Sequence, residues 1–360
     1  MKKSKMILGF VCSGMLITGC VNSNDEKVAD RGKWVVIESG TTRDLDDVDF
    51  VDRDHGWAVG DSGTVLKTTD GGSTWVKLNT GTKKPLVFVD FVDANAGIVA
   101  MGQDSILKTT NGGDSWQRVA AYNYGTIRDI EFVDKDHGFL VGTDYVDGFV
   151  AVTSDGGTSW WPKKFLNWPI VGLDMVTAQI GYVTRDRVGS NRARKLWKTV
   201  NGGTVWQEIL LPVQAAGTGT IVAEPHFVHF SSPSTGYVFA RGYGLGNYDF
   251  KLNGIEVICK TTDGGATWKQ ILLKNVVDLW LIEPLEAGGF EAFGVAYVDF
   301  EDEENYGSYQ ASFYSKDGTK WTATAQNPEE EDDGYAVGAM SIAGDRAFGV
   351  GAEGLIIRRP

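Results

Sequence analysis

Four acidic residues recur at one place in successive segments of this chain: Asp49, Asp90, Glu131 and Asp174, each inside an apolar run such as Val48-Asp49-Phe50. His229 takes the same place in a fifth segment. Carboxylates gathered at one level can hold a cation, or they can accept hydrogen bonds from neighbouring backbone and from water. Paired carboxylates also perform glycoside hydrolysis, but in a chain this acidic no single pair stands out. His55 and His137 precede Gly56 and Gly138 at matching places and read as turn residues. His226 and His229 flank Phe227 and Val228. On a shared face they would offer two imidazoles to a metal, with no third ligand identifiable. No metal site and no cofactor is therefore assigned.

The element that positions these residues is a repeated turn. Thr68-Thr69-Asp70-Gly71-Gly72-Ser73-Thr74-Trp75 returns around Asn111, Asp155, Asn201 and Asp263, and in a shorter form around Asp317. The Asp or Asn side chain can cap the turn by accepting backbone N–H groups. The paired glycines supply positive φ, and the Trp buries a large apolar body while keeping an N–H for an acceptor. These are structural duties. One such turn every 40 to 60 residues or so indicates a radial array of small sheets.

Each unit carries an inner strand, a second strand opening at Gly-x, a third strand before the box and a fourth strand after its Trp. The first unit supplies these around Val48, Trp57, Val65 and Val76. The sixth unit, roughly residues 279–324, is the most irregular. The chain ends after three strands of a seventh unit, around Met340, Phe348 and Ile356, while Trp34-Val35-Val36-Ile37 matches a fourth strand with nothing before it. The N-terminal strand should complete the C-terminal blade and abolish the open edges. The predicted fold is all-β: a seven-bladed propeller of four-stranded blades spanning residues 33–360.

The boxes resemble the Asp-box of bacterial neuraminidases, found also in two-propeller xyloglucanases and sortilin-type receptors. The longer phrase at residues 50–75 (FVDRDHGWAVGDSGTVLKTTDGGSTW) resembles the repeat of the photosystem II stability and assembly-factor family. That resemblance implies a seven-bladed scaffold that binds a protein subunit, and does not imply photosynthesis here. The rival readings are a sialidase- or glycosidase-type enzyme and a glycan-binding module without catalysis. A sialidase needs an arginine cluster, a Tyr–Glu pair and usually an Arg-Ile-Pro phrase, which is absent. Arg43 and Arg128 precede equivalent inner strands and would lie near one channel mouth. A xyloglucanase-like enzyme would need a second propeller.

The hairpins between second and third strands open on the face opposite the boxes. They are minimal in units one, two and seven, and grow in units three to six. Unit four carries Arg185, Arg187, Arg192, Arg194 and Lys195, a basic run in a chain of formal charge −13. Unit five carries the glycine-rich aromatic run 241–250 with Tyr243 and Tyr248, unit six the acidic run 299–306, and the crossover 329–333 is acidic as well. Long loops on a rigid scaffold are where binding concentrates, and Arg and Tyr anchor interfaces. These five cations and two tyrosines form the candidate partner-binding set.

Residues 1–19 read as a lipoprotein signal: Lys2, Lys3 and Lys5, an apolar run too short to span a bilayer comfortably, then Gly19-Cys20. Cys20 would carry lipid, and residues 20–32 would form a flexible tether. Loss of those lysines would make the charge three units more negative, which disfavours nucleic acid. Cys259 stands alone in an apolar strand and reads as a small buried hydrophobe. The expectation is a monomeric, lipid-anchored envelope protein with a protein partner, at the outer membrane if the host is Gram-negative.

Overall fold

The structure is a computed structural model; it describes residues 34–359, apart from 102–104, 121–124, 145–146, 167, 186–194, 217–218, 246–254, 274–275, 286–288, 300–305, 319, 326–336 and 345. Seven antiparallel sheets form the blades of a propeller. In the first blade the order from inside outward is Leu45–Phe50, Gly56–Gly60, Thr64–Thr68 and Val76–Leu78. Short β-branched runs separated by Gly and Asp turns favour such strands. Six sheets have four strands. The fifth has five, because Val213–Ala216 pairs along the start of Gly219–Phe230. The glycine-rich run of this blade, expected as loop, continues the second strand Gly236–Leu245, with Gly242 paired to Ala223 and Gly244 to Ile221. Glycine is a poor strand former, but the lengthened neighbour supplies a ladder that overrides local preference. In the sixth blade, likewise, Asp299 and Tyr306 pair as the ends of two ten-residue strands.

Closure occurs as the sequence implied. Val35, Val36 and Ile37 pair with Arg358, Ile357 and Ile356, making Val35–Ile37 the outer strand of the seventh blade. Trp34 plays the part of a box Trp: it packs against Phe293 of blade six with ring centroids 5.1 Å apart, and the Arg359 guanidinium lies 5.2 Å from its ring centre. Arg359 in turn pairs with the buried Glu291 of blade six.

The boxes act as turn staples. The Thr68 hydroxyl accepts from the Gly72 N–H at 2.9 Å, and Asp70 accepts from the N–H groups of Ser73 and Thr74 and from the Thr74 hydroxyl at 2.6 Å. The same scheme runs through Asp155 and Asp263, and Asn111 and Asn201 accept the corresponding N–H at 3.0 and 2.9 Å. In the short sixth box Asp317 accepts from the Lys320 N–H at 3.3 Å. Gly71 and Gly72 both have positive φ. A Cβ on Gly72 would lie 2.5 Å from the Phe348 ring of the preceding blade, so the second glycine is required by inter-blade packing as well as by the turn. The box indole donates to a glycine carbonyl in boxes five and six: Trp268 to Gly265 at 3.1 Å and Trp321 to Gly318, the single glycine of its box, at 3.4 Å.

Two outcomes are expected. Deleting residues 33–38 should abolish cooperative melting or lower stability by at least about 3–5 kcal/mol, the cost of losing one buried Trp; an unchanged melting midpoint would mean the ring closes otherwise. The second concerns acid. Desolvation opposes ionisation of Asp70 and Asp155, yet hydrogen bonds from Thr74 and from Ser159 outweigh it, and those of Thr267 dominate at Asp263; all three carboxyls are held down at about 2. A depressed carboxylate contributes stability above its ordinary range that is lost as pH falls from about 4 through about 2. Changing all three to Asn, the residue that boxes two and four already use, should therefore flatten the loss of stability over that interval in acid titrations followed by circular dichroism. An unaltered acid limb would count against this assignment.

Candidate functional site

Along the propeller axis the recurrent carboxylates work in series. Asp49 accepts the Phe91 N–H of the next blade at 2.8 Å, Asp90 that of Phe132 at 2.8 Å, Glu131 that of Met175 at 2.8 Å, and Asp174 that of Phe230 at 2.5 Å. The Ser341 hydroxyl accepts the Phe50 N–H at 3.1 Å and carries the series across the closure. Asp47 makes a further link to the Val89 N–H at 2.8 Å. These acceptors are buried, and leaving such a buried group without its partner would cost roughly 1–3 kcal/mol. The series changes character between blades five and six. There the residue in register with Phe50, Phe91 and Phe230 is Pro284, which has no N–H to donate, and the residue in register with the carboxylates is His229. His229 lies edge-on to Phe290, its ring centroid 5.9 Å away, within a cluster containing Tyr237, Phe239 and Phe290.

His226 and His229 do not share a site. They stand three residues apart, with a bulge between Pro225 and Phe227, and His226 Nε2 faces the buried Glu256 at 3.3 Å. His55 and His137 are turn residues, each with Nδ1 against an aspartate of its own turn, Asp52 and Asp134, at about 3 Å. Arg43 and Arg128 do not match in register. Arg128 is the bulged residue of its inner strand, and the corresponding residue of blade one is Asp46. Burial, reinforced by Asp61, Asp44 and Asp47, pushes the Asp46 carboxyl up to about 6. The bulges therefore place unlike groups at the hairpin-side mouth.

At the other mouth, on the side of the boxes, lies a cavity of about 240 Å³, lined in part by Asp49, Asp90, Glu283, Lys135 and Ser341. Its carboxylates include those already engaged with the amides of the next blade. The basic hairpin is described only at its ends. Arg185 closes the second strand of blade four opposite Ile170 and is half-buried, and Lys195 opens the third strand with Nζ 2.7 Å from Glu208 of the same blade. Arg187, Arg192, Arg194 and Tyr248 lie outside the described residues, as do Cys20 and the acidic runs 300–305 and 329–333. Tyr243 takes a register place opposite Val222 in the lengthened strand.

One set of functional positions was not anticipated. Third-strand cations reach the box of the following blade. Lys108 Nζ meets the Asp155 carbonyl at 3.3 Å and the Thr158 hydroxyl at 2.7 Å, Lys198 the Gly264 carbonyl at 2.7 Å, Lys260 the Asp317 carbonyl at 3.4 Å, and Arg358 the Gly71 carbonyl at 3.0 Å. Lys67 lies against Gly112, 5.6 Å from the centre of the Trp57 ring, whose indole donates to the Gly112 carbonyl at 3.1 Å. The sequence signal was a cation one residue ahead of the box Thr.

Comparison with known proteins agrees with this geometry. Residues 26–124 match the family described as photosynthesis system II assembly factor YCF48. The chain is 41% identical over 69 residues to the photosystem II assembly lipoprotein Ycf48 of Prochlorococcus marinus, a match spanning 19% of this chain and 20% of that relative. Among solved structures, a YCF48 bound to a D1 peptide superposes with a TM-score of 0.62 at 19% identity, covering 92% of this chain and 96% of that one. The GH74 xyloglucanase of Xanthomonas campestris gives 0.59 at 15% identity, covering 91% of this chain but 53% of the enzyme. At these identities the structural likenesses establish the fold. The chain is thus an Asp-box propeller that resembles the photosystem II assembly factors in its repeat and in its seven-bladed ring.

Proposed function

We propose that this chain is a non-catalytic, protein-binding propeller of the cell envelope, held to the membrane by lipid on Cys20 and acting as a monomeric assembly or stability factor. The observation that carries the reading is the division of labour between the interior and the hairpin face. The axial carboxylates that could perform acid–base chemistry accept backbone N–H bonds from the next blade. The second strands of blades three to six run toward the face opposite the boxes, where Arg128 is exposed and the half-buried Arg185 leads into the basic run of the sequence. A relative of the same fold is known bound to a D1 peptide, and a peptide is the ligand class that such an arc of cations and aromatics would suit. The glycan-acting reading draws on the GH74 likeness, which extends over about half of that enzyme.

Two experiments test the proposal. Changing Arg187, Arg192 and Arg194 to Ala should weaken capture of the envelope partner at least about tenfold while leaving the melting temperature nearly unchanged, since exposed pairs contribute only about 0–1 kcal/mol each. Destabilisation by several kcal/mol with capture intact would identify the hairpin as an internal clamp. Cys20→Ser should move the protein from the membrane fraction to the soluble one; retention in high salt would refute the lipid anchor.

A further inference from the structure

Every inner strand bulges at the same place, three residues before the carboxylate position. In blades one, three, four and five the ladder slips at Asp46, Arg128, Val171 and His226, and in blades six and seven at Trp280 and Gly338. In blade two, Val87 and Phe88 both face Ala100. A bulge leaves its extra residue outside the ladder. Asp46, Val87, Val171 and His226 are half-buried and Arg128 is exposed, whereas strand neighbours such as Leu45, Asp47, Ile127 and Asp129 are buried. Because the inner strands are the innermost ring of the propeller, these places form one circle at the hairpin-side end of the channel. Its first three members are held in order along consecutive blades: Asp47 accepts the Val89 N–H of blade two, and Asp90 the Phe132 N–H of blade three, both at 2.8 Å.

Two members of this circle carry unlike charges, and the fold uses neither. Among the described residues the Asp46 carboxylate makes no hydrogen bond or ion pair, and the Arg128 guanidinium makes none either. His226, by contrast, is engaged with Glu256 at 3.3 Å. Asp46 stands among like charges: burial first, then Asp61, Asp44 and Asp47, push its carboxyl up to about 6. The exposed cations on neighbouring crossovers, Arg43, Lys83 and Lys84, form no ion pair with it. A carboxylate partly desolvated among acids costs the fold free energy, and a cation brought from outside removes that cost. Between the two charges, Val87 offers a half-buried apolar side chain.

We propose that this end of the channel reads a peptide segment of two opposite charges, a Lys or Arg seated on Asp46 and an Asp or Glu on Arg128, with an apolar residue over Val87 between them. The inference rests on the reading that the hairpin face takes a peptide, and it names what that face selects. Spacing follows from the fold. Stacked sheets lie about 10 Å apart and the blades converge toward the axis, so two steps span at most about 20 Å. That is no more than about six residues of extended chain at roughly 3.3 Å each. A wholly acidic segment would be repelled by Asp44, Asp46 and Asp61 at one end, and a wholly basic one by Arg128 at the other. The same polarity fixes the direction in which the segment runs around the channel.

The full chain should be panned against a phage-displayed library of random short peptides, and enriched sequences remade with a fluorophore for anisotropy. They are expected to carry a Lys or Arg and an Asp or Glu no more than about six residues apart. Asp46→Asn and Arg128→Gln should each weaken binding about fivefold, the upper end for a solvent-facing ion pair. Neither change should lower the melting midpoint at neutral pH, and Asp46→Asn should raise it by relieving repulsion. Asp46→Lys should bind better than the unaltered protein to a peptide whose cation is replaced by Glu. Affinity should fall as acidification carries Asp46 through about 6, and that part of the fall should be missing in Asp46→Asn. Enriched peptides of one charge sign, affinity indifferent to both substitutions, a failed exchange with Asp46→Lys, or a lowered midpoint in Asp46→Asn would each overturn the proposal. Binding lost on changing Arg187, Arg192 and Arg194 to Ala, yet indifferent to Asp46 and Arg128, would sink it while leaving the hairpin-face reading standing. Absence of any enrichment would defeat both.

Discussion

The structure depends on packing each blade against the next, because the chain crossovers that link the blades do not by themselves fix how their faces meet. A four-stranded sheet alone is marginal, and a row of them offers two terminal edges. Closing the row removes the edges, but only if every junction is specified. The chain specifies most junctions twice with polar contacts. Near the axis, a buried carboxylate accepts the N–H of the following inner strand. Further out, a third-strand cation meets a carbonyl in the following box. Between these lie stacked aromatics such as Trp57 on Phe91 and Tyr182 on Phe230, with centroids 3.6 and 3.7 Å apart. The ion pair of Arg359 with Glu291 and the Trp34 contact with Phe293 fasten the last blade to the sixth.

Departures from the series are informative because they come in matched sets. Pro284 removes a donor, and His229 stands where the carboxylate would have accepted from it. An aromatic cluster around Phe290 joins these two blades instead. A buried carboxylate facing no amide would bear its desolvation cost uncompensated, so the two changes belong together. At the third seam Val152 replaces the cation and packs in the cluster that holds Trp206, while Val200 and Val205 of the fourth box, in place of hydroxyl-bearing residues, are exposed. The first departure solves a packing problem inside the protein.

Placing the axial acids in structural roles also bears on the enzyme question. A general acid or base must reach a substrate proton in a suitable protonation state. The axial carboxylates are occupied in accepting amides of the next blade. The hairpin face, with bulges that present Asp46 in one blade and Arg128 in another, is electrostatically uneven. Such unevenness suits recognition of a particular partner better than a symmetric channel would.

Much of this was legible in the sequence because repetition exposes local rules. The boxes, the strand order and the completion of the last blade by Trp34-Val35-Val36-Ile37 follow from turn chemistry and from counting strands. The equivalence of Asp49, Asp90, Glu131 and Asp174 was visible too, though not its meaning: a carboxylate in an apolar run looks the same whether it faces a cation or an amide. The lysines before the boxes were equally visible, and their purpose was hidden because their partners lie in another blade. Register misled where a bulge intervened, as for Arg128 and for His226, since one extra residue shifts which positions correspond. The glycine-rich run of blade five became strand because a longer neighbour gave it a ladder. Local chemistry therefore determined each unit of this protein. Tertiary structure decided what the units do to one another, because a hydrogen bond or a packed ring between blades depends on the placement of two segments that share no sequence neighbourhood.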